Sequence, residues 1–204
     1  MNFIYGDKFA KMADFICTIP NPDYYYNYPN TFSKEAVEAF NGVPIIYTLT
    51  GNVASLFKEL QKVNKQVIVI THSANVPADK TLYDTMPETV IKWFAQNVTH
   101  VGEKLHGLPI GIENPQRISF HHQDKQAKLL AKMAEPRPYK NLLYLNCNVW
   151  TRRDERTECY KQLAGKPWVT TVTNPNIFDF DGYIDNIHGH KFVACPTCFC
   201  KYFF

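Results

Sequence analysis

With 204 residues, 45% hydrophobic and 20% charged, the chain has the make-up of an ordinary globular protein with length enough for a real core. Its net charge of +3 comes without a dense Lys/Arg stripe interleaved with aromatics, which argues against nucleic acid as a partner. No apolar run approaches the ~20 residues that span a bilayer. Asp7, Lys8, Lys11 and Asp14 interrupt the N-terminal segment, so no secretory signal is read there and a cytoplasmic chain is expected.

Residues 1 to 30 read as an extended lead-in, because Pro20, Pro22 and Pro29 forbid a long helix and Asn21, Asp23, Asn27 and Asn30 favour turns. Thr31 or Ser33 is placed to cap a short helix that runs to Phe40 and closes at Asn41-Gly42. A strand follows over Val43 to Leu49 and ends in the polar tip Thr48, Thr50, Gly51 and Asn52. Val53, Leu56, Phe57, Leu60 and Val63 then repeat as one helical stripe, and Gln66 to Thr71 is the next strand. Two strands with a helix between them make a βαβ unit with a right-handed crossover.

The stretch from Gln66 to Asn114 carries the same pattern onward. The apolar run Val67 to Ile70 breaks into Thr71-His72-Ser73-Ala74-Asn75. Val90 to Ala95 reads as the centre of a helix that starts at Pro87 and ends in Gln96-Asn97. A second apolar run, Leu108 to Ile112, breaks into Glu113-Asn114. Strand, polar tip, helix, strand, polar tip is the order of a parallel α/β sheet, whose ligands bind at the carboxyl ends of the strands.

After a loop bearing His121-His122, read as solvated rather than metal-binding, a helix is expected over Asp124 to Glu135 with Ala127, Leu130, Ala131 and Ala134 on one face. Pro136-Arg137-Pro138 is a stiff connector, which divides the chain into domains 1–135 and 136–204. Beyond it come strand Asn141 to Leu145, helix Asp154 to Ala164, strand Trp168 to Val172, a helix around Tyr183 to Ile187 and strand Lys191 to Cys195. Three strands and two helices fall short of a complete doubly wound domain.

The chemistry divides between the two halves. Asn148 and the turn with Arg152, Arg153 and Arg156 stand between a strand and a helix start, where guanidiniums and free N–H groups bind phosphate. A solvated first turn, with Asp154, Glu155 and Glu158 pairing to the arginines, explains the same residues equally well. In the first half no glycine-rich nucleotide fingerprint occurs. Thr50, Asn52, Ser73, Asn75, Asn97 and Asn114 instead offer hydroxyls and amides suited to a sugar, with His72 or Glu113 as candidate general base. Cys17, Cys147 and Cys159 read as small core residues. Cys195, Cys198 and Cys200 lack a second pair at ligand spacing, so no metal is expected at the tail, and no other cofactor is expected either. Asn97-Val98-Thr99 matches a glycosylation acceptor, read as unmodified in a cytoplasmic chain.

The segments Ile45 to Thr50, Val69 to Asn75, Lys92 to Asn97 and Leu108 to Asn114, followed by Tyr183 to Asn186 and Lys191 to Pro196, resemble exostosin-like glycosyltransferases of the bacterial and viral type. The likeness runs in patches over residues 43 to 196. It implies two Rossmann-like domains in a GT-B arrangement, a glycan acceptor on the first, a nucleotide-sugar donor (UDP-sugar foremost) on the second, and inverting transfer. Arg152, Arg153 and Arg156 fall where family members contact the donor phosphates. After Pro196 the family's Arg/Gly-rich loop and Trp-Glu-Ala-like segment are replaced by Thr-Cys-Phe-Cys-Lys-Tyr-Phe-Phe. The donor domain is therefore expected to be truncated, which leaves two expectations: a glycosyltransferase whose activity the truncation can abolish, or a non-catalytic carbohydrate- or partner-binding fragment.

Overall fold

The computed structural model describes residues 6–18, 28–74, 76–109, 125–136, 139–151, 153–172 and 180–194. The chain divides between Asn114 and Pro115 into two α/β units.

In the first unit a parallel sheet runs in the order β1 (Phe15–Ile16), β2 (Ile45–Leu49), β3 (Val67–His72), β4 (Val90–Ala95) and β5 (Leu105–Gly107). Period-2 alternation sends Ile46, Val69, Trp93 and Leu105 to one face, in register across four strands. There they meet α2 (Lys34–Ala39) and α3 (Val53–Leu60) in one buried cluster. The expected stripe is buried throughout, although its last member, Val63, lies past the end of α3 at Leu60. Phe57 meets Trp93 edge-on at 5.2 Å, and the Trp93 Nε1–H donates to Thr71 Oγ1 at 2.9 Å, so the largest buried side chain has its polar atom satisfied. Ser33 caps α2 by accepting the Ala36 N–H at 3.1 Å.

The opposite face carries Tyr47, Ile70 and Phe94, covered in part by Phe9 and Ala10 of α1 (Gly6–Lys11). That helix was not expected. The lead-in prolines all follow it, and Phe9, Ala10 and Ala13 already mark a short apolar face.

Two elements of the central stretch differ from expectation. Residues Val90 to Ala95 form strand β4 rather than a helix; the helix before it is the short α4 (Lys80–Asp84), capped by Asp79. The cause is a bulge. Val67 pairs with Val90 but Ile68 pairs with Lys92, so Ile91 is an extra residue and Val90 and Trp93 both reach the core at a spacing of three. Three-residue spacing imitates a helix. Strand β5 lies at Leu105–Gly107, ahead of the apolar run that begins at Leu108. Leu108 still donates its N–H to Ala95 O at 2.8 Å, and Ile110 to Asn114 lie outside the described residues.

The second unit has a three-stranded parallel sheet in the order β7 (Val169–Thr171), β6 (Asn141–Leu145), β8 (His190–Ala194). Between them run α6 (Arg153–Leu163) and α7 (Phe180–His188). Helix α5 (Lys125–Ala134), expected to close the first domain, belongs to this unit, where Lys128 pairs with Asp181 and Lys132 with Asp185, both at 2.7 Å. Its buried residue is Leu129, while Leu130, expected on the core face, is exposed. These pairs fix which side of the helix faces α7.

The two sheets differ in topology. Among its described strands the first follows chain order without reversal. In the second, β6 has β7 on one side and β8 on the other. With right-handed crossovers, α6 and α7 fall on opposite faces, and the strand order reverses at β6.

Candidate ligand sites at the strand tips

In the first unit the ladder brings three polar tips to one end of the sheet. Leu49 pairs with His72 and Thr71 with Ala95, so the residues after β2, β3 and β4 emerge side by side. Thr50, Asn52, His72, Ser73 and Asn97, all picked out from the sequence, therefore share the carboxyl end. Asn75, Glu113 and Asn114 lie outside the described residues.

The β3 tip is held by side chains from the β4 tip. Ser73 and Asn97 take positive φ, 63° and 57°; asparagine tolerates that region through local hydrogen bonding, whereas serine is strained there. The Ser73 N–H donates to Gln96 Oε1 at 2.9 Å, and the Asn97 amide donates to Ala74 O at 3.1 Å. Asn97 thus uses its amide to hold the β3 tip. Thr50 is buried and its Oγ1 has no hydrogen-bond partner among the described residues. Asn52 begins α3 without a side-chain cap bond and is half-buried.

His72 is 2% exposed, with both ring nitrogens engaged. Nε2 lies 3.1 Å from Pro109 O, and a carbonyl only accepts, so Nε2 carries the proton. Nδ1, 3.2 Å from Ser73 Oγ, is then the acceptor. Burial lowers the His72 pKa, partly offset by the bond to Pro109, and the ring is neutral near pH 7. The Phe9 ring packs 4.9 Å from it. The Tyr47 hydroxyl donates towards Ser73 Oγ at 3.4 Å. Any basicity of His72 is directed at the Ser73 hydroxyl, which is half-buried and nearer to solvent.

Sequence reasoning missed Gln96 and Tyr47. Gln96 is signalled only once β4 is seen as a strand, which makes it a strand-tip residue. Tyr47 looked like core, and it is 0% exposed; only the register with Ile70 brings its hydroxyl near Ser73.

In the second unit, β6 runs out into Asn146-Cys147-Asn148 and a 3-10 turn, Val149–Thr151, before α6 begins. Asn148 Oδ1 accepts the Trp150 N–H at 3.1 Å. Arg156, 1% exposed, donates through Nη1 to the Asn148 carbonyl, so it fastens the loop from beneath. Tyr160 accepts the Cys147 N–H at 3.3 Å and donates to Val172 O at 2.6 Å, tying the ends of β6 and β7 together. Arg153 is exposed, its guanidinium 5.3 Å from the Trp150 ring centroid. Arg152 lies outside the described residues. Glu158, considered as an arginine partner, lies near Lys161 at 3.7 Å.

No group of three or more His, Cys, Asp or Glu able to hold a metal comes together among the described residues. His121-His122 and the Cys195 to Cys200 cluster lie outside them. No helix among the described residues is long and apolar enough to cross a membrane.

Fold and sites define a parallel α/β protein with polar strand tips in one unit and an arginine-bearing turn at the strand-order reversal of the other. Comparison with models of known protein families and with curated proteins finds no match.

Proposed function

We propose that the chain is a glycosyltransferase of the exostosin-like type, in which the first unit takes a glycan acceptor and the second a nucleotide-sugar donor, UDP-sugar foremost, in a GT-B arrangement. The observation that carries the reading is the reversal of strand order at β6, with Arg153 at the start of α6 beyond its carboxyl end. In doubly wound sheets that is where nucleotides bind. The sequence resemblance and the hydroxyl- and amide-bearing tips of the first unit support it.

In the reaction a general base, for which Glu113 is the candidate, takes the proton of the acceptor hydroxyl as its oxygen attacks the anomeric carbon; the bond from that carbon to the diphosphate breaks, the nucleoside diphosphate leaves and the configuration inverts. Arg153 offers charge to the departing diphosphate. On the acceptor side His72 holds Ser73, and the Ser73 hydroxyl meets the sugar.

A second reading, a carbohydrate-binding protein without turnover, is favoured by the commitment of both His72 nitrogens. Calorimetric titration of UDP against wild type and Arg153→Ala, with a parallel assay for nucleotide release from UDP-sugars, separates the readings. Transfer predicts UDP binding weakened by the substitution, together with release; saccharide binding without release supports the second reading. UDP binding that is identical in both proteins removes Arg153 from the donor site.

A further inference from the structure

We propose that Trp150 and Arg153 form a stacking site for a planar ring that carries an anionic group, which makes a nucleoside phosphate the ligand class. The inference rests on the donor-side reading for its first probe, UDP, and adds the residue that holds the base.

Trp150 is 78% exposed, the most exposed tryptophan in the chain by a wide margin over Trp168 at 39% and the fully buried Trp93. A lone exposed aromatic is ordinary on a protein surface; its position here is not. It stands in the loop at the carboxyl end of the central strand β6, where the strand order reverses, the place at which doubly wound sheets bind their ligands. The loop is fastened on both sides of its turn. Asn148 Oδ1 accepts the Trp150 N–H, the buried Arg156 holds the Asn148 carbonyl, and Tyr160 holds Cys147. The indole is thus presented on a braced backbone, so little ordering is left for a ligand to impose.

Arg153 supplies the second half of the site. Its guanidinium lies over the indole at 5.3 Å and brings positive charge beside the ring. With 78% of its surface exposed, the indole keeps area for an aromatic ring to stack on, and the charge beside it suits a phosphate attached to that ring. A base alone uses only the first feature, and an inorganic anion only the second. The two together select a nucleotide.

The test is calorimetry of UDP, ADP, uridine and pyrophosphate against wild type, Trp150→Ala and Trp150→Phe, with a thermal melt to show that each variant is folded. Loss of base stacking is expected to weaken UDP on the order of 10- to 100-fold in Trp150→Ala. Trp150→Phe is expected to recover most of the affinity, and pyrophosphate to bind all three proteins alike. Equal UDP affinity in wild type and Trp150→Ala overturns the stacking site and leaves the donor-side reading standing. Binding of ADP but not UDP, sensitive to Trp150→Ala, upholds the stacking site and removes the UDP-donor reading. Failure of wild type to bind either nucleotide overturns both.

Discussion

His72 should make the protein less stable as pH falls through the range just below neutrality. The ring is 2% exposed, its Nε2 proton is given to Pro109 O, and burial lowers its pKa. In the unfolded chain the same group titrates near the usual value of about 6.5. The sign follows from proton counting: below about pH 6.5 the unfolded state binds a proton that the folded state refuses, so stability rises with pH there. The contribution is full above the unfolded pKa and is lost as pH falls towards the folded one. A single group limits the slope to about 1.4 kcal/mol per pH unit. Urea unfolding at half-unit steps from pH 8 to 5 should show a plateau and then a decline, and His72→Gln should flatten that decline. A wild-type curve that is level between pH 7 and 5, or a variant with an unchanged slope, would refute the buried neutral imidazole.

Two further outcomes test the cores and the thiols. Trp93→Ala removes the residue that joins β4 to α3 and the bond to Thr71, and should cost about 3–5 kcal/mol in urea unfolding; a loss below about 1 kcal/mol would contradict its place in the core. Cys17 is pushed up to about 11 by burial and by Glu59, so at pH 7.5 fewer than about one thiol in a thousand is thiolate. Iodoacetamide mapped by mass spectrometry should modify Cys17 only after denaturation.

The parallel α/β class was legible because buried strands and amphipathic helices alternate plainly in residues 43 to 72 and 141 to 194. Periodicity served well at α3, where Val53, Leu56, Phe57 and Leu60 face one way. It misled at Val90 to Ala95, since the bulge at Ile91 gives a strand the burial spacing of a helix turn. Register is a property of the partner strand, and no single segment displays it. The same limit applied to the sites. Strand tips mark themselves by polarity, so Thr50, Asn52 and Ser73 stood out, while Asn97 was picked out as the polar end of an expected helix. Burial of Arg156 beneath Asn148 did not, because an arginine in a helix's first turn reads as solvated or ligand-facing until its Nη1 is seen on a backbone carbonyl. Trp150 passed unnoticed for a related reason: its interest comes from the order β7-β6-β8, and strand order is set by long-range pairing.

The division of labour between the two units is tested most directly by amide NMR of the labelled protein during a UDP titration. The account predicts shifts concentrated between Asn146 and Arg156 in the second unit, with Thr50 to Asn52, His72 to Ala74 and Gln96 to Asn97 unmoved. Shifts confined to those strand tips of the first unit, or none at any UDP concentration, would contradict it.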